Sequence, residues 1–253
     1  MKKAIAFLTV IVISFTFINL KANAAKVEEE IYFFDFEDSD ELPSEFEWNN
    51  VGNAKIIEVD GSKVLELSGG GYNFIFIGDS IDGDIAIDLK LKVTKHIAKG
   101  GAQFTFREDK SKGNARYGYH VCFGDMTVTD EYGLELRKRT MNDFTEKVRN
   151  PLDYDDEWHD FRVEVVGHHV KLFMDGELMA EQTMSGYDAG HVTISSYLDT
   201  ALFDDIKISK LVDAPETEPE STNPETSDPS ILFGLVLFTV LASSIIIKKR
   251  VFV

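Results

Sequence analysis

Residues 84–93 read DIAIDLKLKV, and their side chains alternate without a break. Ile85, Ile87, Leu89, Leu91 and Val93 fall on one side of an extended chain, Asp84, Ala86, Asp88, Lys90 and Lys92 on the other. Successive side chains of a strand point to opposite faces, so this segment suits a strand with one face in an apolar layer and one in water. The same period recurs in EIYFFDF, AKIIEV, KVLELS, YNFIFI, AQFTFR, RYGYHVCF, YGLELRKR, FRVEVV, HVKLFMD, ELMAEQT, HVTISS and ALFDDIKI, with no sustained helical period between them. Asp60-Gly61 and Asp175-Gly176 carry the chemistry of two-residue hairpin turns, while EDKSKGN and SGGG read as longer loops. A dozen short antiparallel strands predict an all-β, two-sheet antiparallel sandwich over residues 26–211; closure into a barrel is the alternative.

The two ends differ from this middle. Lys2 and Lys3, then AIAFLTVIVISFTFI, then Ala22-Asn23-Ala24 match the basic, apolar and small-x-small parts of a signal peptide, predicted over residues 1–24. Residues 231–247 are uncharged and predict a transmembrane helix, short but long enough to span. Lys248, Lys249 and Arg250 follow it at once, so residues 248–253 are expected as a cytoplasmic tail and everything before residue 231 as extracellular. Residues 212–230, rich in Pro, Glu, Thr and Ser, form a linker that cannot bury enough surface to offset its ordering entropy.

Without the two terminal segments, 20 Lys and Arg stand against 44 Asp and Glu, a net charge of −24. Such a field repels nucleic acid and anionic lipid heads and attracts cations, so calcium is a natural partner and nucleic acid is not. Cys122 is the only cysteine and is read as a small buried side chain. With no internal disulfide possible, the domain must be held by its core.

Asn223-Pro224-Glu225-Thr226-Ser227, followed by an apolar run and a basic tail, resembles the cell-wall sorting signal of Gram-positive surface proteins. That resemblance implies a sortase cutting between Thr226 and Ser227 and a bacterial cell-surface location. The pentapeptide departs from the common LPxTG form at its first and last positions, so a plain membrane anchor stays open.

The run EWHDFRVEVVGHHVKLFMDGELMAEQT, then GHVTISSYLDTALFDDIKIS, resembles the C-terminal half of concanavalin A-like lectin/glucanase sandwiches. IYFFDFEDSD is similar to their first strand, and FTFRED with RYGYHVCF to the middle hairpin of the branch holding 3-keto-disaccharide hydrolases and laminin-G-like modules. The resemblance implies a jelly roll. It also implies that Glu37, from the first strand, could clamp one structural Ca²⁺ with Asp204 and Asp205 from the last.

For chemistry the residues offer less. The paired-carboxylate motif of the hydrolytic members is absent, so no catalytic residue is assigned: Glu131 and Glu135 share a face but stand about 13 Å apart by strand rise. Asp155, Asp156 and Glu157 read as a solvated loop, and no histidine has ligand spacing. A sugar-binding cup needs aromatic planes and planar polar groups. With Phe104 and Phe106 facing the core, Gln103 and Arg107 are left open, and Arg107, Tyr119, His120, Glu135 and Arg137 are the expected cup. Trp158 is assigned to the core and Trp48 to neither side. The reading is a surface-anchored, non-catalytic glycan-binding module; a 3-keto-disaccharide hydrolase and an adhesion or structural domain are the alternatives.

Overall fold

The computed structural model describes residues 26–49, 52–69, 71–96, 100–113, 115–125 and 131–214. The expected signal peptide, the expected linker beyond residue 214, the expected spanning helix with its basic tail, and the Thr226–Ser227 bond lie outside them. No helix among the described residues is long and apolar enough to cross a membrane.

The described chain is all β. In order the strands are β1 (Lys26–Phe34), β2 (Phe46–Trp48), β3 (Asn53–Val59), β4 (Ser62–Ser68), β5 (Tyr72–Asp82), β6 (Ile85–Lys95), β7 (Gly101–Glu108) and β8 (Tyr117–Asp125). They continue as β9 (Tyr132–Thr140), β10 (Asp143–Pro151), β11 (His159–Val166), β12 (His169–Met174), β13 (Glu177–Thr183), β14 (Ala189–Tyr197) and β15 (Thr200–Asp213). One 3₁₀ turn, Lys110–Lys112, interrupts the connection between β7 and β8.

Two antiparallel sheets result. One runs β13-β12-β11-β6-β15-β4-β3, with β1 also paired to β15; the other runs β10-β9-β8-β7-β14-β5-β2. Strands distant in sequence lie side by side in both, as in a jelly-roll sandwich. The core lies between the sheets and is built from the alternating positions. Ile85, Ile87, Leu89, Leu91 and Val93 of β6 are all buried and meet Phe104, Phe106, Tyr119, Val121, Phe123, Leu134 and Leu136 of the facing sheet. Each such side chain contributes about 1.5–3 kcal/mol by leaving water.

Both predicted hairpin turns form. Asp60 and Gly61 have φ of 55° and 89°, Asp175 and Gly176 of 52° and 78°, the left-handed pair that type I′ turns require. β15 is the hub of its sheet: it pairs with β6 along one edge, and with β4 and then β1 along the other. Its register shifts between Asp204 and Lys207, where Asp205 takes φ 46°, as at a bulge. β15 continues to Asp213, pairing Asp213 with Lys26, so the domain runs two residues beyond Leu211 into the expected linker.

Two strands were not legible as alternation. β2 has three residues. β10 is an edge strand whose register slips between Thr145 and Val148, with Glu146 at φ 48°; the slip hides its period. Trp158 is half-buried, not in the core, because it precedes β11 and no strand face carries it inward. Trp48 packs against the core, and its indole N–H donates to Asn73 Oδ1 at 2.7 Å.

Candidate functional site

The face of the β10-to-β2 sheet that points away from the core carries polar and aromatic side chains in register. Phe76, Thr193, Thr105, His120 and Arg137 form one row across β5, β14, β7, β8 and β9; Phe74, Ser195, Gln103, Cys122 and Glu135 form the next. The connection after β7 curls over the β5 side of this face, and Ala115 packs, fully buried, on Phe74 and Phe76. The Tyr72 hydroxyl donates to the Ala115 carbonyl at 2.8 Å, drawing the ring over the sheet.

What stays open is a pocket of about 260 Å³ lined by Tyr72, Gln103, Arg116, Arg137, Arg139, Asn142, Phe144 and Tyr197. Cations and rings alternate along its wall. Arg116 lies 5.3 Å from the Tyr72 ring centre, and Arg139 lies 5.5 Å from Tyr72 and 5.3 Å from Phe144. Arg137 stacks on Phe144 at 4.1 Å. Each contact of this kind stabilises by about 0.5–2 kcal/mol, and together they hold three guanidinium groups around one hollow. Arg137 also donates to Glu135 Oε1 at 2.9 Å, and the Arg139 Nε–H donates to the Met141 carbonyl at 2.9 Å. Burial disfavours the Arg139 cation and lowers its pKa, with the Arg137 and Arg116 charges acting the same way.

Two further polar side chains, Glu108 and His120, are fully buried and lie side by side. Glu108 Oε1 accepts the Tyr117 N–H at 2.6 Å, while Oε2 stands 3.3 Å from His120 Nε2 without a hydrogen bond to it. Burial pushes Glu108 up to about 7 and takes His120 well below its usual value, the Arg139 and Arg137 charges adding to the latter. The pair thus holds one proton below pH 7, on the carboxyl rather than the imidazole, and is about half-occupied at pH 7. Gly118 makes room for it: a Cβ there would come within 2.8 Å of Glu108 Oε2. Cys122 is buried on the same face, and burial raises its thiol to about 11, as suits an inert small side chain.

The five residues expected to form an exposed cup separate. Arg137 lines the pocket, and Glu135 lies behind it as its partner. His120 is on the right face but fully buried. Tyr119 points the other way, into the core, where its hydroxyl accepts the Tyr187 N–H at 3.2 Å. Arg107 sits at φ 53°, which breaks the alternation, so its guanidinium turns aside to donate to the Tyr187 and Gly83 carbonyls. Sequence reasoning missed Arg116, Arg139, Phe144 and Tyr197 as pocket residues. The spacing of Arg137 and Arg139, two apart on one strand, was the available signal; Phe144 had none, since its strand was not visible.

Glu37, Asp204 and Asp205, the expected calcium ligands, make other contacts in the structure. Glu37 already accepts from the Ser62 hydroxyl and the Lys63 N–H, and Asp205 pairs with Lys90 at 2.7 Å. Asp204 is raised to about 6, chiefly by burial, with the Asp205 and Glu37 charges adding to it. Among the described residues no group of three or more His, Cys, Asp or Glu side chains could hold a metal ion. A wider hollow of about 520 Å³ on the opposite sheet includes Arg162, but that guanidinium is engaged by Asp88, Glu28 and Glu164 at 2.6–2.9 Å.

The 3-keto-alpha-glucoside-1,2-lyase-like domain matches residues 35–209. The chain belongs to this family. No curated protein sequence matches it. Among solved structures, it is similar to a Bacillus subtilis protein of unknown function with a galectin-like fold (TM-score 0.58, 12% identity, 75% of this chain and 100% of that one). It is also similar to the carbohydrate binding module CBM66 of Bacillus subtilis (TM-score 0.52, 17% identity, 66% and 96%). An endo-beta-1,3-glucanase from Pyrococcus furiosus shares the fold too (TM-score 0.52, 10% identity, 75% and 97%). At these identities the likenesses establish the sandwich and nothing finer.

Proposed function

We propose that this member of the lyase-like family binds a carbohydrate in the pocket on its outward sheet face and does not cleave it. The observation that carries the reading is the pocket itself. Tyr197 and Phe144 offer ring faces, and Gln103, Asn142 and the arginines offer planar donors, which is the chemistry that recognises sugar rings and hydroxyls. At about 260 Å³ it lies below the ~300–1,000 Å³ of drug-sized ligand pockets and suits a single ring at a chain end. The sandwiches named as a carbohydrate binding module and a glucanase are consistent with a sugar-related role.

Against cleavage stands the burial of the carboxyls. Glu108 is fully covered and Glu135 is held by Arg137, so neither reaches a ligand in the pocket. One feature favours lyase chemistry as a second reading: Glu108, raised to about 7 and 3.3 Å from His120, would make an acid–base pair if a substrate reached it. We read the exported, surface-anchored placement from the termini, with sorting at Thr226–Ser227 as its specific form. The mass of protein released from the wall tests it: a C-terminus at Thr226 means sorting, whereas retention of Lys248 means a permanent span.

Titration calorimetry of the full chain against mono- and disaccharides, 3-keto-glucosides included, with product analysis of each mixture, tests the pocket. Saturable binding without turnover, weakened at least about tenfold by Tyr197→Ala, is the expected result. Turnover abolished by Glu108→Gln would establish the second reading, and silence on every sugar would end both.

A further inference from the structure

The pocket's charge is out of keeping with the chain. A sequence of net −18 with seven arginines places three of them, Arg116, Arg137 and Arg139, around one hollow. Elsewhere the protein neutralises such groups: Arg162 on the opposite sheet is held by three carboxylates. In the pocket only Arg137 has such a partner, Glu135, and neither Arg116 nor Arg139 makes an ion pair among the described residues. Arg116 Nε is buried without a hydrogen bond. Arg139 is 8% exposed, so its cation is largely withdrawn from water with no ion pair among the described residues. A buried cation without an anion is costly, so a ligand that supplied the anion would be favoured there.

We infer that the pocket takes an acidic sugar, one whose ring carries a carboxylate, with Arg139 and Arg116 as the groups that receive it. The inference rests on the carbohydrate reading above and narrows its ligand class. The Nε of Arg139 is committed to the Met141 carbonyl, which fixes the plane of the guanidinium and leaves its two terminal nitrogens to form a fork. Such a fork matches the two oxygens of a carboxylate. Tyr72, between Arg116 and Arg139, spaces the two cations so that one anion can lie within reach of both. Asn142, Gln103 and the Tyr197 ring remain for the hydroxyls and the ring face. An ester sulfate shares the charge and can also meet a guanidinium fork, but it is bulkier than a ring carboxylate in a hollow of about 260 Å³.

The test is calorimetry of the full chain with methyl glucuronide, methyl glucoside and glucose 6-sulfate, each with and without added salt. The glucuronide is expected to bind at least about tenfold more tightly than the glucoside, with the sulfate between them, and salt should reduce only the two anions. Arg139→Gln should erase the glucuronide preference, lowering glucuronide affinity to that of the glucoside, and Arg139→Lys, keeping the charge without the fork, should erase most of it. Arg116→Gln serves as a second variant, and melting curves establish that each is folded. Equal affinity for glucuronide and glucoside overturns the inference and leaves the carbohydrate reading standing. A sulfate tighter than the glucuronide overturns the carboxylate assignment, and no binding of any of the three removes both readings.

Discussion

The two faces of the β10-to-β2 sheet are nearly equally hidden from water and differ in almost everything else. Every residue of β7 is buried. On its inner side Ala102, Phe104 and Phe106 enter a core of other apolar side chains; on its outer side Gln103 and Thr105 lie among His120, Cys122, Glu135 and Arg137. Burial alone therefore does not distinguish core from site. The inner face gains by contact and has no orientation to satisfy, whereas the outer face must find a partner for each polar atom, and it does so incompletely at Glu108 Oε2 and His120 Nε2.

The sharpest test of that contrast is a pair of truncations on neighbouring positions of one strand. Phe104→Ala should cost about 3–5 kcal/mol in a denaturant titration, the range for a lost core aromatic. Gln103→Ala, on the other face, should cost no more than about 1 kcal/mol. Equal losses would mean that the outer face is a second core rather than a site.

The proton stored by the Glu108–His120 pair gives the next largest effect. A carboxyl raised to about 7 in the fold contributes stability that is complete below its unfolded value and lost as pH rises through 7. A buried neutral histidine acts oppositely, losing stability as pH falls below its unfolded value. Between about pH 4.5 and 6.5 the folded pair keeps one proton on the carboxyl and the unfolded pair keeps one on the imidazole, so the two terms cancel. His120→Asn should remove the cancellation. Stability of that variant should then fall as pH rises from about 4.5 to 7, by up to about 3 kcal/mol in chemical denaturation, and a flat profile would contradict the assignment.

Gly118→Ala should destabilise by about 1–3 kcal/mol, since its Cβ would come within 2.8 Å of Glu108 Oε2 and 3.0 Å of the Phe106 carbonyl; thermal melting reads it. The smallest expected effect is at Cys122. Buried and raised to about 11, its thiol should resist alkylation in the folded chain at pH 8 and react on unfolding, as labelling followed by mass measurement would show.

Much of the fold was legible because alternation is a local property. The inward residues of β6 and the two Asp-Gly turns follow from single segments. The site was less legible, because three of its determinants are not local. Arg107 breaks the period through its positive φ, Phe144 sits on a strand whose register slips, and Tyr119 differs from His120 only in which side of β8 meets the other sheet.

The order of residues by itself determined that this chain would build two apolar faces and stack them, since each strand carries its own division into inward and outward positions. Which outward positions reach a ligand was decided only when the chain came together. The segment after β7, carrying Ala115, and Tyr72 from β5 pack over Phe74 and Phe76, and Arg116, Arg137 and Arg139 line the gap that remains. Exposure depends on what lies on top of a side chain, and here the covering groups come from strands well separated along the chain.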